Sequence, residues 1–358
     1  MRKTILILRI GSLGDTVVAL PAFHHVRRSE PDTRIVLLTN LPADGGVKAA
    51  SSYQVLAGSG LIDAYAEYRT PRSLADVWSL FHQLREFRPR RIYYLMPQRT
   101  FAQRLRDRLF FLLAGVVDVQ GLSLSKRFEK RGYLGHLERW EPESLRLLRM
   151  AGGRDTELIQ ENFSLNLTLA ERGRASQVLA PLAGNPYLVV SLGTKLPVKD
   201  WGDDYWLTAL RHLGEGLLGT GLVLIGSADE SERCARLARA WRGAVINLCG
   251  QLTPRESGAV AASAVAFLGH DSGPAHLAAA VGAKVITIFS SRNLAGVWFP
   301  FGNEDHVFYE RTDCANCGLD ECVAEKMRCI RSITPEQVVK KTLSVAALAS
   351  ECSGAHWG

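Results

Sequence analysis

Apolar and polar positions along the 358-residue chain alternate between two periods. Thr4–Ile10 is β-branched and apolar and predicts a strand, interrupted only by Arg9. Gly11–Asp15 then forms a turn, and Thr16–Arg28 carries Val17, Leu20, Phe23 and Val26 at helical spacing. Strands follow at Arg34–Thr39 and Arg91–Leu95, the second preceded by a helix over Ser73–Phe87. The rhythm lapses across Gly152–Asn166, and Leu167–Leu179 reads as a helix ended by Ala183-Gly184-Asn185-Pro186. It resumes with strands at Tyr187–Leu192, Gly221–Ile225, Val245–Asn247, Ala264–Leu268 and Lys284–Phe289. The intervening helices are predicted at Tyr205–Leu213, Glu230–Ala240, Pro254–Ala262 and Pro274–Val281, with a last one at Pro335–Ala349. Strand-helix-strand alternation implies parallel sheets with helices on both faces. We expect two doubly wound α/β domains, over 1–170 and 183–334, followed by a helix and tail over 335–358.

No apolar run approaches the ~18 residues that cross a bilayer, and the basic start Met1-Arg2-Lys3 lacks the apolar segment of a signal peptide. A cytoplasmic location is expected. The net charge of +7 is uneven. Residues 1–166 hold 25 basic against 17 acidic residues, a net of +8, and the rest of the chain is nearly balanced. Eight arginines fall within Arg85–Arg108. They read either as a solvated face or as a surface for nucleic acid, anionic lipid or an acidic substrate. Phe101–Ala114 interleaves them with Phe110, Phe111, Leu112 and Leu113, as interfacial helices do. No zinc-finger spacing, RNA-binding aromatic signature or basic zipper is present, so nucleic acid is not expected.

Three loops at strand ends carry candidate chemistry. The first, Gly11-Ser12-Leu13-Gly14-Asp15, has neither the dinucleotide nor the P-loop glycine spacing. Asp15 reads either as a helix cap or as a carboxylate able to take a proton from a hydroxyl, and the roles compete because N–H donors weaken a base. The second holds Gly193-Thr194-Lys195 and Lys199-Asp200-Trp201, an ordinary basic loop or a diphosphate site. The third, Asp271-Ser272-Gly273-Pro274-Ala275-His276, places cap residues and glycine at a helix start, where exposed N–H groups bind phosphate. Together the three point to one cleft between two domains for a phosphorylated ligand.

These residues resemble glycosyltransferase family 9, the heptosyltransferases of lipopolysaccharide core assembly. Ile5–Asp15 with Leu20-Pro21-Ala22 is similar to the family's N-terminal signature. Asp271–Ala280 with Gly282 and Trp298-Phe299-Pro300 is similar to its C-terminal signature, and Lys199-x-Trp201 to the element between them. The resemblance implies a GT-B architecture of two Rossmann-like domains, with the donor held mainly by the second. It implies inverting transfer of heptose, from ADP-heptose, to a lipid-linked saccharide acceptor. Asp15 then matches the general base, with Ser12 and Gly14 on the acceptor-side loop. Thr194, Lys195 and Lys199 match the region meeting the donor's phosphates. Ser272 and Gly273 match the phosphate-facing helix start, and Asp271 and His276 match positions near the donor sugar. An anionic membrane then becomes the expected partner of the basic N-terminal half, giving peripheral association with the inner face of the cytoplasmic membrane. No cofactor is required for catalysis. Alternatives from other classes are a nucleotide-binding regulatory or scaffolding protein without turnover, and another sugar-nucleotide enzyme such as an epimerase. Retention of Asp15, Lys199 and His276 argues against the first, and a basic apolar acceptor surface against the second.

Seven cysteines remain, four of them in the C-x2-C-x4-C-x6-C pattern of Cys314, Cys317, Cys322 and Cys329. Their spacing allows structural zinc, free thiols or a redox-labile disulfide.

Overall fold

The computed structural model describes residues 3–40, 51–68, 73–128 and 130–354. The chain divides into two compact units, Met1–Asn166 and Leu167–Gly358.

The first unit runs β1 (Thr4–Leu8), α1 (Leu13–Val17), α2 (Leu20–Ser29), β2 (Arg34–Asn40), α3 (Ser52–Leu56), β3 (Ala64–Tyr68), α4 (Leu74–Phe87), β4 (Arg91–Tyr94) and α5 (Phe101–Leu113). It ends with β5 (Val119–Gln120), the hairpin β6 (Tyr133–Leu134) and β7 (Arg139–Trp140), and α6 (Glu143–Ala151). Its five-stranded sheet is parallel throughout, in the order β3-β2-β1-β4-β5. Ile5, Leu6, Ile7 and Leu8 are all buried, as expected of a central strand covered on both faces. The single helix expected over Thr16–Arg28 is two helices. Pro21 lies in the first turn of α2 and has no N–H to continue α1, so the chain turns at Val18-Ala19 and restarts.

The second unit runs α7 (Leu169–Leu179), β8 (Tyr187–Ser191), α8 (Asp203–Gly216), β9 (Gly221–Leu224), α9 (Ser231–Ala238), β10 (Val245–Asn247) and α10 (Pro254–Ala261). It continues with β11 (Ala266–His270), α11 (Gly273–Ala280), β12 (Val285–Phe289), β13 (Val307–Tyr309), α12 (Arg328–Arg331) and α13 (Pro335–Gly354). The sheet is again parallel, in the order β10-β9-β8-β11-β12-β13. One of its faces is covered by Trp201, Trp206, Leu210, Leu213 and Val338, the other by Ala259, Val260, Ala275 and Ala278. The C-terminal helix α13 is therefore part of this unit's core.

Both sheets have the Rossmann order, and in both the direction of winding reverses beside the first strand. The switch points fall between β1 and β4 and between β8 and β11. Loops leaving the carboxyl ends of such a pair diverge, and the gap they leave is where ligands bind in open parallel sheets.

A buried charge network lies under the first switch point. Arg146, fully buried on α6, donates from Nε and Nη2 to Glu143 (2.8 and 2.7 Å) and from Nη2 to the carbonyl of Met96 (2.9 Å), just beyond β4. Arg131 pairs with the same carboxylate, and Arg9 Nη1 lies 3.9 Å from it. Burial would raise the Glu143 carboxyl, but Arg146, Arg131 and Arg9 outweigh it and hold it near 2. A carboxylate depressed in the folded state stabilises fully above its unfolded value of ~4.5, and that stability fades as pH falls toward 2. Glu143→Gln should cost about 3–5 kcal/mol at neutral pH, because it leaves buried guanidinium charge uncompensated. It should also flatten the acid limb of the melting-temperature profile between pH 4.5 and 2. An unchanged profile would show that the network does not hold the unit together.

Candidate active site

In the first unit the switch point is occupied by Arg9–Asp15. Ser12, not Asp15, is the N-cap of α1, and Asp15 is the third helical residue. Its Oδ2 reaches back to accept from Ser12 N–H (2.8 Å) and Ser12 Oγ–H (3.0 Å). Its Oδ1 faces Arg9 Nη2 at 3.7 Å, and the side chain keeps 31% of its surface open. One oxygen thus serves the cap while the carboxylate still faces solvent. Arg9, buried at the end of β1, also donates from Nη2 to the Asp15 carbonyl (2.9 Å) and from Nη1 to the Leu95 carbonyl (3.1 Å). It thereby connects the Asp15 loop to the loop after β4 and to Glu143. Gly14 contributes its carbonyl to Val18 N–H (3.0 Å).

Gly11 is required by space and by backbone. Its φ is +137°, and a Cβ placed there would lie 2.3 Å from Asp15 Cβ and 2.5 Å from Cγ.

In the second unit the loop after β8 meets the loop after β11. Lys199 Nζ pairs with Asp271 Oδ2 (2.7 Å) and donates to the Asp271 carbonyl (3.2 Å). Asp271 is buried, so it orients Lys199 from beneath. Thr194 Oγ1 both accepts from Leu196 N–H and donates to its carbonyl (3.4 Å each), shaping the turn, while Lys195 is exposed. Ser272 caps α11 by its backbone position, and its buried Oγ has no hydrogen-bond partner among the described residues. Gly273 and Ala275 begin α11 with N–H groups that precede the helical ladder, and Pro274 between them brings none. His276 is buried in the first turn of the helix.

Three residues outside the predicted set fix this arrangement. His270, fully buried at the end of β11, accepts at Nε2 from Trp201 N–H (3.0 Å) and Trp206 Nε1–H (3.3 Å), so its proton sits on Nδ1. Arg233 donates to both oxygens of Asp200 (2.8 and 2.9 Å) and to Asp203 (2.7 Å), tying the Lys199 turn to α9. Glu230 accepts from Ser227 N–H (3.0 Å), and its carboxylate lies where side chains on Gly193 and Gly226 would otherwise be. It sits at the ends of β8 and β9 together.

The zinc expectation for Cys314, Cys317, Cys322 and Cys329 is corrected. Among the described residues no group of three or more His, Cys, Asp or Glu side chains could hold a metal ion. Cys329 is packed into the core beside Ile330, whereas Cys317 is exposed. The segment is held by backbone and arginine contacts instead. Asn316 N–H donates to the Ser291 carbonyl (2.7 Å), Arg292 donates to the carbonyls of Leu319 (2.7 Å) and Gly318 (2.8 Å), and the Asp320 carbonyl accepts from Val198 N–H (3.1 Å). It buttresses the turn that carries Lys199.

Each sheet thus has a charged switch point, and neither carries a dinucleotide or P-loop glycine pattern. The sequence profile of glycosyltransferase family 9 (heptosyltransferase) matches residues 119–328. The chain belongs to that family, and its activity is glycosyl transfer. It is 26% identical over 339 residues to lipopolysaccharide heptosyltransferase 1 of Pseudomonas aeruginosa, covering 89% of this chain and 87% of that protein. Among solved structures, the glycosyl transferase family 9 protein of Veillonella parvula matches with a TM-score of 0.68 at 16% identity, over 97% of this chain and 98% of that one. The E. coli ADP-heptose lipopolysaccharide heptosyltransferase II matches with a TM-score of 0.66 at 18% identity, over 98% and 100%. The fold is accordingly the GT-B pairing of two Rossmann-like domains.

Two outcomes are expected. Gly11→Ala should displace Asp15 and cut glycosyl-transfer turnover about tenfold or more. Equal turnover in wild type and variant would show that the Asp15 position is not critical. Burial, set against Asp200 and alongside Arg233, pushes His270 down to about 4. A lowered histidine stabilises fully above its unfolded value of ~6.5, and stability falls as pH drops from there toward 4, by about 3 kcal/mol. Melting temperatures across that window should fall in wild type and lose most of this slope in His270→Gln.

Proposed function

We propose that this glycosyltransferase moves heptose from ADP-heptose to a lipid-linked saccharide of the lipopolysaccharide type, with inversion. The observation that carries the reading is the start of α11. There Lys199, the Ser272 hydroxyl, which has no partner among the described residues, and the N–H groups of Gly273 and Ala275 gather around the end of β11. Such a set neutralises a diphosphate and stabilises it as a leaving group without a divalent metal. Exposed Lys195 adds a second cation, and Thr194 holds its turn in shape. Glu230 offers carboxylate acceptors suited to a ribose diol at the ends of the neighbouring strands. The names of the related proteins support ADP-heptose as donor and lipopolysaccharide as acceptor.

Asp15 supplies the acceptor-side chemistry. The acceptor hydroxyl attacks the anomeric carbon through an oxocarbenium-like state, and the C–O bond to the diphosphate breaks. The proton passes to the Asp15 carboxylate. Arg9 contributes by holding the Asp15 backbone and carboxylate in one geometry. The acceptor's lipid anchor places the enzyme at the cytoplasmic face of the inner membrane.

Calorimetric titration with ADP, UDP, GDP and ADP-heptose tests the donor assignment. ADP and ADP-heptose should bind, and Lys199→Ala should weaken both by about 10- to 100-fold, the worth of a charge-assisted phosphate contact. Preference for UDP or GDP would contradict the heptose donor, and absence of all nucleotide binding would contradict the transferase assignment of this site.

A further inference from the structure

The first unit carries an apolar surface that its fold does not use. Helix α4 has 14 residues and buries only Leu84. Leu74 and Trp78, one helical turn apart, are 88% and 62% exposed. Trp78 stacks on Phe81 (centroids 5.6 Å apart, planes 10° apart), and Phe81 meets Phe110 of α5 edge-on at 6.2 Å. Those contacts join the two helices into one face. On α5, Leu105, Leu109, Leu112 and Leu113 follow at helical spacing and are all exposed, Leu113 to 74%. Monomeric soluble proteins rarely show a contiguous apolar surface of this kind without a partner.

Charge states which partner fits. Residues 73–113 contain eight arginines and three acids. Two of the acids are engaged locally, Asp76 as acceptor from Ser73 (2.9 and 2.8 Å) and Asp107 as acceptor from Tyr94 (2.6 Å) and Arg106 (2.6 and 2.9 Å). Arg85 lies over the Phe81 ring, 5.7 Å from its centroid, and exposed Arg88 follows α4 directly. A second copy of the chain would set these arginines against their own equivalents. An anionic bilayer provides opposite charge and an apolar interior at once. No helix among the described residues is long and apolar enough to cross a membrane.

We infer that the joined outer face of α4 and α5 is a docking surface for an anionic phospholipid bilayer, with Trp78 and the α5 leucines entering the headgroup boundary and the arginines facing lipid phosphates. This extends the reading of a lipid-linked acceptor, but its test needs neither donor nor acceptor, so either can fail alone. The full chain is sedimented with phosphatidylcholine vesicles that contain or lack about 30% phosphatidylglycerol. Binding should require the anionic lipid and weaken strongly at 1 M salt, where screening acts over ~3 Å. Leu109→Asp with Leu113→Asp should lower partitioning about tenfold or more. Arg85→Glu with Arg88→Glu should do the same. All these side chains are exposed, so an unchanged melting temperature controls for folding. Lipid-induced blue shift of tryptophan emission should vanish in Trp78→Phe while its binding persists. Equal binding to both vesicle types, indifference to these substitutions, or dimerisation abolished by the leucine substitutions without vesicle binding would each overturn the inference.

Discussion

The candidate site in each unit depends on where a parallel sheet reverses its winding. Neighbouring strands on either side of that reversal send their following loops to opposite faces, so their carboxyl ends stay uncovered. The molecule builds this situation twice, beside β1 and beside β8. Each uncovered end receives helix N-termini, whose unpaired N–H groups favour negative charge. The first unit satisfies that demand internally with the Asp15 carboxylate. The second leaves the Ser272 hydroxyl without a partner among the described residues, beside Lys199, and this is the set proposed to meet a phosphate. One topology thus positions both halves of the proposed site, Asp15 on one unit and the start of α11 on the other.

Holding charge at such places requires buried counter-charge. Arg9, Glu143 and Arg146 form a connected set under Asp15, while His270, Arg233 and Asp200 fix the turn that presents Lys199. Buried ion pairs add little net stability relative to apolar packing, but breaking one is costly. Their value here is positional, since the arginines reach carbonyls at the strand ends and set loop geometry there. The same reasoning accounts for Gly11 and Gly193, where a Cβ would collide with the Asp15 and Glu230 side chains respectively.

Much of this was legible from residue order. Buried strands of β1, β8, β11 and β12 appear as mostly apolar runs, and the three loops announce themselves by glycine, cap residues and charge at strand ends. Short strands did not. β3, with Ala64, Tyr65, Glu67 and Tyr68, has one buried position, and β5 has two residues, so tertiary pairing rather than pattern defines them. Arg9 was visible as a charge closing an apolar strand, yet its partners lie 86 and 134 positions away at Leu95 and Glu143. His270 looked like part of a loop because its strand runs two residues beyond the predicted end. The cysteine spacing resembled a metal site, but spacing carries no information about depth, and Cys329 faces the core. The outer face of α4 was not legible, because Leu74 and Trp78 at helical spacing fit a buried face as well as an exposed one.

The decisive question is whether Asp15 acts on a proton or only completes a helix cap. Asn at this position keeps an oxygen that can accept from Ser12 and removes the basic carboxylate. Transfer rate and ADP-heptose affinity measured side by side in wild type and Asp15→Asn separate the two roles. A general base gives turnover about 10²- to 10⁴-fold lower with donor affinity unchanged. Retained turnover, or a parallel loss of turnover, donor affinity and stability, would reduce Asp15 to a structural residue and remove the acceptor-side half of the mechanism.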